Sequence, residues 1–475
     1  MNSKKMLEKV LKKITPTKKE RELQARLAEK IISRVKAESG KHLDVVLCGS
    51  NARGTHLRGD NDLDIFVLFP ERLSRQEFET EGLRIGKKVF RGHKWEKAFS
   101  EHPYIKGVIE GFDVEIVPSY KVSKAELKQS AVDRSPFHNE YLLKRLKGKK
   151  KGEARLLRQF LKGIKAYGAD TKASSVPGYV VELLILEHGS FQKAIKAIAE
   201  WKQGHVIDLA KYWGKGEAKR LFKEAPLIVI DPVDRNRNVA AALSLNQFSR
   251  IVAASQAFLR KPSESFFFGK KERAWPLARL RKMLLKKELV AVRLSYPKKA
   301  LADIVWGQIN RFARKAEKQL QLNDFNVLRS EAWTDEKESI VIVFEVDSRV
   351  LQKSSVKAGP FVTDAKNSAA FLEKHSKVIA GPRIEDGRWI IEIPRKHTLM
   401  GKFLQGFLKK EKGREKGEMK KALNKGIKIL QEEDLVQLFK RDKEFSIFLT
   451  GYLKGEEEFL GYYSSSSVKT LMPFF

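Results

Sequence analysis

Apolar residues spaced four apart form one face of the chain in residues 17–38. This spacing brings them onto one side of an α-helix, which predicts a helix with a single buried face. Thr15-Pro16 before it and Gly40 after it are typical helix boundaries. The residues of the apolar face are Leu23, Leu27, Ile31 and Val35.

Short apolar runs then replace the helical spacing and predict strands. Ser74 and Glu77 form a capping box that predicts a helix to about Phe90, and Pro118 is expected to end the last strand. The predicted strands are 43–48, 62–68, 104–109 and 112–117, with a short helix at 50–57 and a hairpin turn at Glu110-Gly111. These elements predict a mixed sheet with helices on a face.

The pattern becomes mostly helical after residue 120. Ser135-Pro136 combines a cap with a proline at the first helical position, which favours a helix start. Residues 147–152 are interpreted as a basic loop, and 227–244 as a short strand, a polar turn and another helix. The predicted helices are 136–147, 153–166, 177–188, 191–202 and 246–260.

Strands and helices alternate again after Lys261-Pro262. The predicted strands are 288–296, 339–346 and 387–393, with a helix at 298–320, and a basic helical segment begins at about residue 401. The fold class predicted is α+β multidomain. Its four parts are a mixed-sheet head (1–120), a helical neck (121–260), an α/β body (261–400) and a basic tail (401–475).

The charge balance is the unusual feature of the composition. The 475 residues include 94 Lys+Arg against 59 Asp+Glu, a net charge of +35. Such an excess favours a polyanionic partner, because cations that neutralise phosphates release counterions. Solubility, a hot or salty habitat and a membrane surface are the alternatives, and nucleic acid is the favoured interpretation.

A single cysteine, Cys48, excludes an intramolecular disulfide and a Cys/His zinc cluster. The N-terminus lacks the continuous apolar core of a secretory signal. No stretch approaches the ~18–20 apolar residues of a membrane span. We therefore expect a soluble cytoplasmic protein with no membrane partner.

Two acids, Asp62 and Asp64, lie two apart in an otherwise apolar predicted strand. Their side chains would point to the same side of the sheet. Paired carboxylates repel unless a cation lies between them, and Mg²⁺ prefers such oxygen ligands. The alternative is a strand start with two solvated acids, but an uncompensated charge in an apolar strand is costly.

The later run at 112–118 offers a third carboxylate, because Asp113 and Glu115 alternate with apolar residues there. Two carboxylates from one strand and one from the next can hold two metal ions ~3.5–4 Å apart for in-line attack on a phosphate. Gly49-Ser50 precedes the acids where a strand meets a helix N-terminus, which favours an anion. Arg53 adds charge one helical turn later.

Six separate segments agree, in order and spacing, with one known family. They read GSNARGTHLRGDNDLDIFVLFP, DVEIVPSY, AVDRSPFH, RLLRQFLKGIKAYGA, PGYVVELLI and DPVDRNRNVAAALS. The chain therefore resembles the archaeal-type (class I) CCA-adding enzymes of the DNA polymerase β nucleotidyltransferase superfamily. The resemblance is close up to about residue 260 and looser beyond it.

The resemblance implies that Asp62, Asp64 and Glu115 are catalytic and hold two Mg²⁺ ions. The family usually has Asp at the third position, and Glu is one methylene longer. Either Glu115 reaches the metal through a shifted backbone or Asp113 contributes, and Glu115 is favoured.

The resemblance also implies a set of nucleotide-binding residues. Asp231 and Asp234 are interpreted as turn residues that hold Arg237, which would read the base, and not as metal ligands. Each assignment has a plainer alternative: a solvated cation for Arg158, a core tyrosine for Tyr167, a helix-start hydrogen bond for His138 and a backbone-phosphate contact for Arg237. The full set is Ser50, Arg53, Ser135, His138, Arg158, Tyr167 and Arg237.

The implied activity is template-independent addition of C, C and A to the 3′ end of tRNA, with CTP and ATP as substrates. The basic C-terminal half would contact tRNA phosphates, so affinity should fall steeply with salt. A poly(A) polymerase or oligoadenylate synthetase is the nearest alternative, and a non-catalytic RNA-binding protein is the second. A homodimer is left open.

Overall fold

The computed structural model describes residues 3–39, 43–99, 101–125, 129–168, 174–269, 272–298, 300 and 302–460. Gly40, a predicted helix boundary, and residues 461–475 of the predicted tail lie outside them. The chain divides into two compact units: Met1–Lys270 together with Glu457–Phe475, and Lys271–Glu456. The predicted fold class, α+β multidomain, is confirmed: the chain forms a multidomain fold of mixed sheets and helices.

A five-stranded mixed sheet forms the head of the first unit. Its strands are β1 (Asp44–Cys48), β2 (Asp62–Phe69), β3 (Trp95–Phe99), β4 (Pro103–Ile109) and β5 (Phe112–Tyr120). They are ordered β1-β2-β5-β4-β3. Strands β2 and β5 are parallel and the other neighbours are antiparallel, which leaves the acid-bearing strands side by side.

Helices cover one face of this sheet. The first five α-helices of the described residues are α1 (Ser3–Ile14), α2 (Lys18–Ser39), α3 (Gly49–Arg53), α4 (Arg75–Val89) and α5 (Arg134–Arg145), of which α2 and α4 pack on this face. Apolar residues of α2 and α4 share a buried core with Leu63, Ile65 and Val114. The capping box of Ser74 and Glu77 opens α4 as predicted. Because this face is apolar, the acids of β2 and β5 lie on the other one.

Several predicted details of the head are wrong. Pro118 does not end β5, because in this parallel pair it lies opposite Val67 and the strand continues to Tyr120. Leu23 is 51% exposed and does not belong to the buried face of α2. Helix α3 ends at Arg53 and not at 57, and β3 was not predicted.

The rest of the first unit is mainly helical. Its elements are α6 (Lys150–Gly163), α7 (Gly178–His188), α8 (Phe191–Ala199), β6 (His205–Ile207), α9 (Glu217–Leu221), β7 (Leu227–Asp231), β8 (Asp234–Asn238), α10 (Leu245–Arg260) and α11 (Ser265–Phe268). Helices α6, α7, α8 and α10 share one apolar core, to which α1 also contributes. The predicted polar turn within 227–244 is instead the strand β8, paired antiparallel with β7.

The second unit is built on a four-stranded sheet. Its elements are α12 (Leu277–Leu284), β9 (Glu288–Ser295), α13 (Ala302–Gln321), β10 (Val327–Thr334), β11 (Ser339–Val346), β12 (Ser354–Phe361), α14 (Ala365–Lys374), β13 (Ala380–Glu385), β14 (Arg388–Pro394), α15 (Met400–Arg414), α16 (Gly417–Lys425), β15 (Ile427–Leu430), α17 (Glu432–Arg441) and α18 (Lys443–Lys454). The main sheet is ordered β10-β11-β9-β15, and β12-β14-β13 form a second sheet. Strand β15 comes from the segment predicted as a separate tail, yet it pairs with β9. The predicted four-part division itself stays a prediction.

Candidate active site

Four carboxylates share the open face of the head sheet. Strands β2 and β5 run parallel in a register that sets Asp62 opposite Asp113 and Asp64 opposite Glu115. The alternate residues Leu63 and Val114 are fully buried on the helix-covered face. The sheet therefore brings the three predicted catalytic acids together and adds Asp113 beside them.

Burial and mutual repulsion raise the pKa values of Asp62, Asp64 and Glu115. Burial raises the pKa of Glu115 to about 7, with the charge of Asp64 adding to it. Burial and the charge of Asp62 raise the pKa of Asp64. Burial, then Asp60 and Asp113, raise that of Asp62. Burial is the main cause of each shift, and the charge of the neighbouring acids adds to it.

Divalent cations are the chemical complement of such a face. Hard ions such as Mg²⁺ prefer carboxylate oxygens, and binding one would relieve the repulsion that raises these pKa values. The donor set therefore fits a divalent metal. Within the part of the chain that the structure describes, however, no group of three or more His, Cys, Asp or Glu side chains is already arranged to hold an ion.

Gly49 lies directly against this face at the start of α3. A Cβ atom at this position would lie 1.9 Å from Oδ2 of Asp64, and the backbone has φ +74°. Only glycine fits both conditions, since it has no Cβ and tolerates positive φ. Ser50 follows in the first turn of α3.

Arg53 lies on the same short helix but faces the neck. Its Nε and Nη2 are 3.0 and 2.9 Å from the carboxylate oxygens of Glu182 on α7. Its Nη1 donates to Asn139 on α5 at 3.2 Å. Arg53 is 8% and Glu182 1% exposed. This buried ion pair fixes α3, and hence Gly49-Ser50, to the helical neck.

Arg158 and Tyr167 lie beside a fifth acid, Asp60. Nη1 of Arg158 is 3.6 Å from Oδ2 of Asp60, and Lys162 bonds the other oxygen at 3.0 Å. Both cations lie 5.5 Å from the ring centre of Tyr167. A Cβ at Gly178, the first residue of α7, would lie 2.9 Å from the Tyr167 hydroxyl. These cations are thus linked to the carboxylate face through Asp60.

His138 and Arg237 meet in a second cluster around Asp231. The Asp231 carboxylate, fully buried, lies 2.8 Å from Nε2 of His138 and accepts from Nη1 of Arg237 at 3.0 Å. The Tyr179 hydroxyl donates to its other oxygen at 3.3 Å, and the Tyr179 ring stacks on His138 with centres 4.0 Å apart. Ser135 lies three residues before His138, on the same side of α5.

The buried environment sets the charges in this cluster. Burial lowers the pKa of His138, and the hydrogen bond to Asp231 opposes it. Burial raises the pKa of Asp231, but the hydrogen bond and charge of His138 outweigh it and the net shift is downward. Asp231 thus stays ionised and holds Arg237, whose side chain is 36% exposed, as the sequence interpretation expected.

Several residues that support these side chains were not predicted from the sequence. Glu182 is one: it is the single acid in the apolar run VVELLIL (180–186), which indicates a buried partner for its charge. Asp60 and Lys162 are others, and their only signal was proximity to a predicted site residue. No feature of the sequence pointed to Tyr179, which follows Gly178 and directly precedes this apolar run.

Three protein-family models match the chain. They are described as a nucleotidyltransferase domain (28–138), a tRNA nucleotidyltransferase second domain (152–268) and a CCA-adding enzyme C-terminal domain (287–432). Among curated proteins, the CCA-adding enzyme of Methanosarcina mazei is 33% identical over 454 residues, 93% of this chain and 96% of its own. That of Archaeoglobus fulgidus is 37% identical over 399 residues, 84% of this chain and 88% of its own. A solved structure of a cytoplasmic RNA terminal U-transferase covers 56% of this chain and 98% of its own, at 15% identity and a TM-score of 0.45.

Proposed function

The chain belongs to the family of archaeal CCA-adding enzymes, and from this premise we propose that Asp62, Asp64 and Glu115 carry the transfer of nucleotides to the 3′ end of tRNA. The enzyme is a nucleotidyltransferase that adds C, C and A there. CTP and ATP are the nucleotide substrates, and pyrophosphate is the leaving group.

One observation carries the assignment of the site. Asp64 and Glu115 lie opposite each other on parallel strands. Only backbone atoms of residue 49 lie beside Asp64, because a Cβ at Gly49 would collide with the Asp64 carboxylate. A phosphate chain can therefore approach the acids along the start of α3, where backbone N–H groups and Ser50 donate hydrogen bonds. The nucleotide and the acids share one small volume.

The remaining side chains have distinct proposed roles in binding the nucleotide. Arg158 and Tyr167 bind the triphosphate from the neck, and Ser135 and His138 contact the nucleotide at the start of α5. Arg237, with the RNA, reads the base. We propose that Arg53 acts mainly by positioning, because its Nε, Nη1 and Nη2 all contact Glu182 or Asn139 and the residue is 8% exposed. The triphosphate contact that the resemblance implies for Arg53 stays a prediction.

Nucleotidyltransferases of this fold use divalent metal ions, and we propose that Asp62, Asp64 and Glu115 hold two Mg²⁺. When bound there, such ions would lower the pKa of the attacking 3′-hydroxyl and neutralise charge on the leaving pyrophosphate. The protein keeps the three acids on one rigid face, and Asp113 adds charge beside Asp62.

The excess of positive charge supports the nucleic-acid partner. With a net charge of +35, the chain can neutralise many tRNA phosphates, and A-form RNA is recognised mostly by shape and backbone. No helix in the described ranges is long and apolar enough to span a membrane. The cytoplasmic location and the homodimer stay predictions.

The test is incubation with tRNA that lacks its CCA end, one labelled nucleotide at a time. We expect incorporation from CTP, then from ATP once two C residues are present, and little from GTP or UTP. The product should end after three nucleotides. A long homopolymer would instead indicate a poly(A) polymerase, and metal-dependent nucleotide binding without incorporation would indicate a non-catalytic RNA-binding protein.

A further inference from the structure

A groove of about 500 Å³ lies next to the three acids, on the side away from α3. Asp62, Asp113 and Glu115 line it on the side of β2 and β5, and Lys94 and Lys106 line it on the side of β3 and β4. The remaining lining comes from Trp95, Glu96, Gly107, Val108 and Val114. One side of the groove is therefore acidic, and the other carries two lysines together with Glu96.

The register of three strands explains this distribution of charge. Across the sheet, Glu96 lies opposite Lys106 and Lys106 opposite Glu115. Since paired residues share a face, Lys106 stands on the same face as the acids. It is bonded to Glu96 at 3.3 Å, and both side chains are substantially exposed. Lys94, two residues before Glu96, is exposed at the mouth of the groove.

The chemistry of transfer fixes which reactant belongs on this side. The attacking and leaving oxygens of a phosphoryl transfer lie roughly in line on opposite sides of the phosphorus. If the leaving pyrophosphate lies at the start of α3, beside Asp64, the attacking hydroxyl must approach from the other side of the acids. In the strand order β1-β2-β5-β4-β3, that is the side of β4 and β3, where the groove is.

We propose that this groove binds the 3′-terminal nucleotide of the acceptor RNA, with Lys106 and Lys94 contacting the phosphodiester that joins its last two nucleotides. The inference rests on the proposed function of the carboxylate site. A single-stranded RNA end would otherwise bring its phosphate close to Asp113 and Glu115, and the two lysines offset that repulsion. They thereby hold the terminal hydroxyl against the acids.

The experiment pairs a protein change with a change in the RNA. Acceptor tRNA lacking CCA is made with a neutral methylphosphonate at its 3′-terminal linkage, and single-turnover CMP addition is measured at subsaturating RNA. With the unaltered enzyme, neutralising that linkage should slow addition about tenfold, as expected for one lost charge-assisted contact. In Lys106→Met, addition to ordinary RNA should be about tenfold slower, and the methylphosphonate should slow it further by less than about twofold.

Matched controls separate this placement from a general loss of charge. Lys97 lies on the same strand, but it pairs with Ile105 and its side chain lies over Phe99 on the opposite face. Lys97→Met should leave the sensitivity to the terminal methylphosphonate unchanged. A methylphosphonate several linkages upstream should affect the unaltered enzyme and Lys106→Met equally.

Two outcomes would overturn the proposal. One is an equal loss on the terminal methylphosphonate in Lys106→Met and in the unaltered enzyme, since the lysine and the phosphate would then act independently. The other is a rise in the KM for CTP with no change for RNA, which would put the triphosphate in the groove. Failure of the unaltered enzyme to extend ordinary tRNA would contradict the proposed function instead.

Discussion

Asp64 and Glu115 are paired in register across the parallel strands β2 and β5. The same pairing sets Asp62 opposite Asp113 one step earlier in each strand. Glu115 is therefore the acid next to Asp64, and its longer side chain starts from a regular strand and not from a shifted backbone. The Tyr104 hydroxyl also donates to its Oε1 at 3.4 Å.

The first prediction concerns the third carboxylate. Glu115→Gln should reduce CMP addition by more than about 100-fold, because a direct metal ligand is removed. Loss of a group that only hydrogen-bonds a metal ligand costs about 10- to 100-fold. Glu115→Asp, which restores the residue usual in the family, should keep most of the activity. Single-turnover addition with saturating Mg²⁺ and unchanged tRNA affinity is the measurement.

Asp113→Asn is the matched control for this prediction, because Asp113 lies on the same strand and the same face. It should retain activity. Full activity of Glu115→Gln together with loss of activity in Asp113→Asn would assign the third ligand to Asp113.

The second prediction concerns the ion pair of Arg53 with Glu182. Glu182→Ala leaves the guanidinium buried without its counter-charge and should lower the free energy of unfolding by about 3–5 kcal/mol. The double change Arg53→Met with Glu182→Leu should recover part of this loss, since no charge is left buried. Urea denaturation followed by fluorescence measures both variants.

The same pair separates structure from catalysis. The double variant should stay folded, since no unpaired charge is buried in it. It should bind CTP more weakly, because α3, which carries Gly49 and Ser50, is no longer held by the ion pair. Unchanged affinity for CTP in a folded double variant would contradict a positioning role for Arg53.

The acids on the sheet could be predicted from the sequence because they follow from a local rule. Alternation places Asp62 and Asp64 on one face whatever the strand pairs with. That Glu115 would lie opposite Asp64 depended on the register of two strands far apart in sequence. The pairing of Arg53 with Glu182, 129 residues later, depended on how the neck packs on the head, which no local pattern encodes.

The errors have the same origin. Residues 234–238 have the polar composition of a turn, yet they form β8 because tertiary pairing with the fully buried strand β7 overrides local propensity. Pro118 was expected to end a strand because it has no N–H to donate, but β5 simply continues past it. Strand β3 has only one buried residue, Ala98, and gave no apolar signal.

The third prediction concerns Asp231, which holds His138 and Arg237 together. Asp231→Asn keeps the shape but removes the charge that fixes the guanidinium, so Arg237 should sample other orientations. We expect the KM for CTP and ATP to rise about tenfold, as for one lost hydrogen bond to a charged group, and discrimination against UTP and GTP to fall.

The variant must be compared with one that removes the base contact itself. Arg237→Ala should give a similar loss of discrimination, and the double variant should be little worse than either alone, because both changes act on one contact. Additive losses in the double variant would show that Asp231 acts separately from Arg237.

The last prediction concerns the pH dependence of stability through His56. This side chain is 3% exposed, and burial, with the charge of Arg155 and a smaller contribution from Arg158, lowers its pKa to about 4, against the opposing charge of Asp60. In the unfolded chain its pKa is ordinary, at about 6.5. The unfolded state therefore binds more protons than the folded state between these values, and stability is lost as the pH falls from about 6.5 to 4.

His56→Gln removes this titration, so its free energy of unfolding should fall less between pH 7 and pH 5 than that of the unaltered protein, by about 1–2 kcal/mol. The carboxylates that also titrate in this range are common to both proteins and cancel in the difference. Urea denaturation of both proteins at the two pH values measures it. An equal loss of stability in the two proteins would mean that His56 takes up its proton in the folded state as it does in the unfolded state. Burial beside Arg155 would then not lower its pKa.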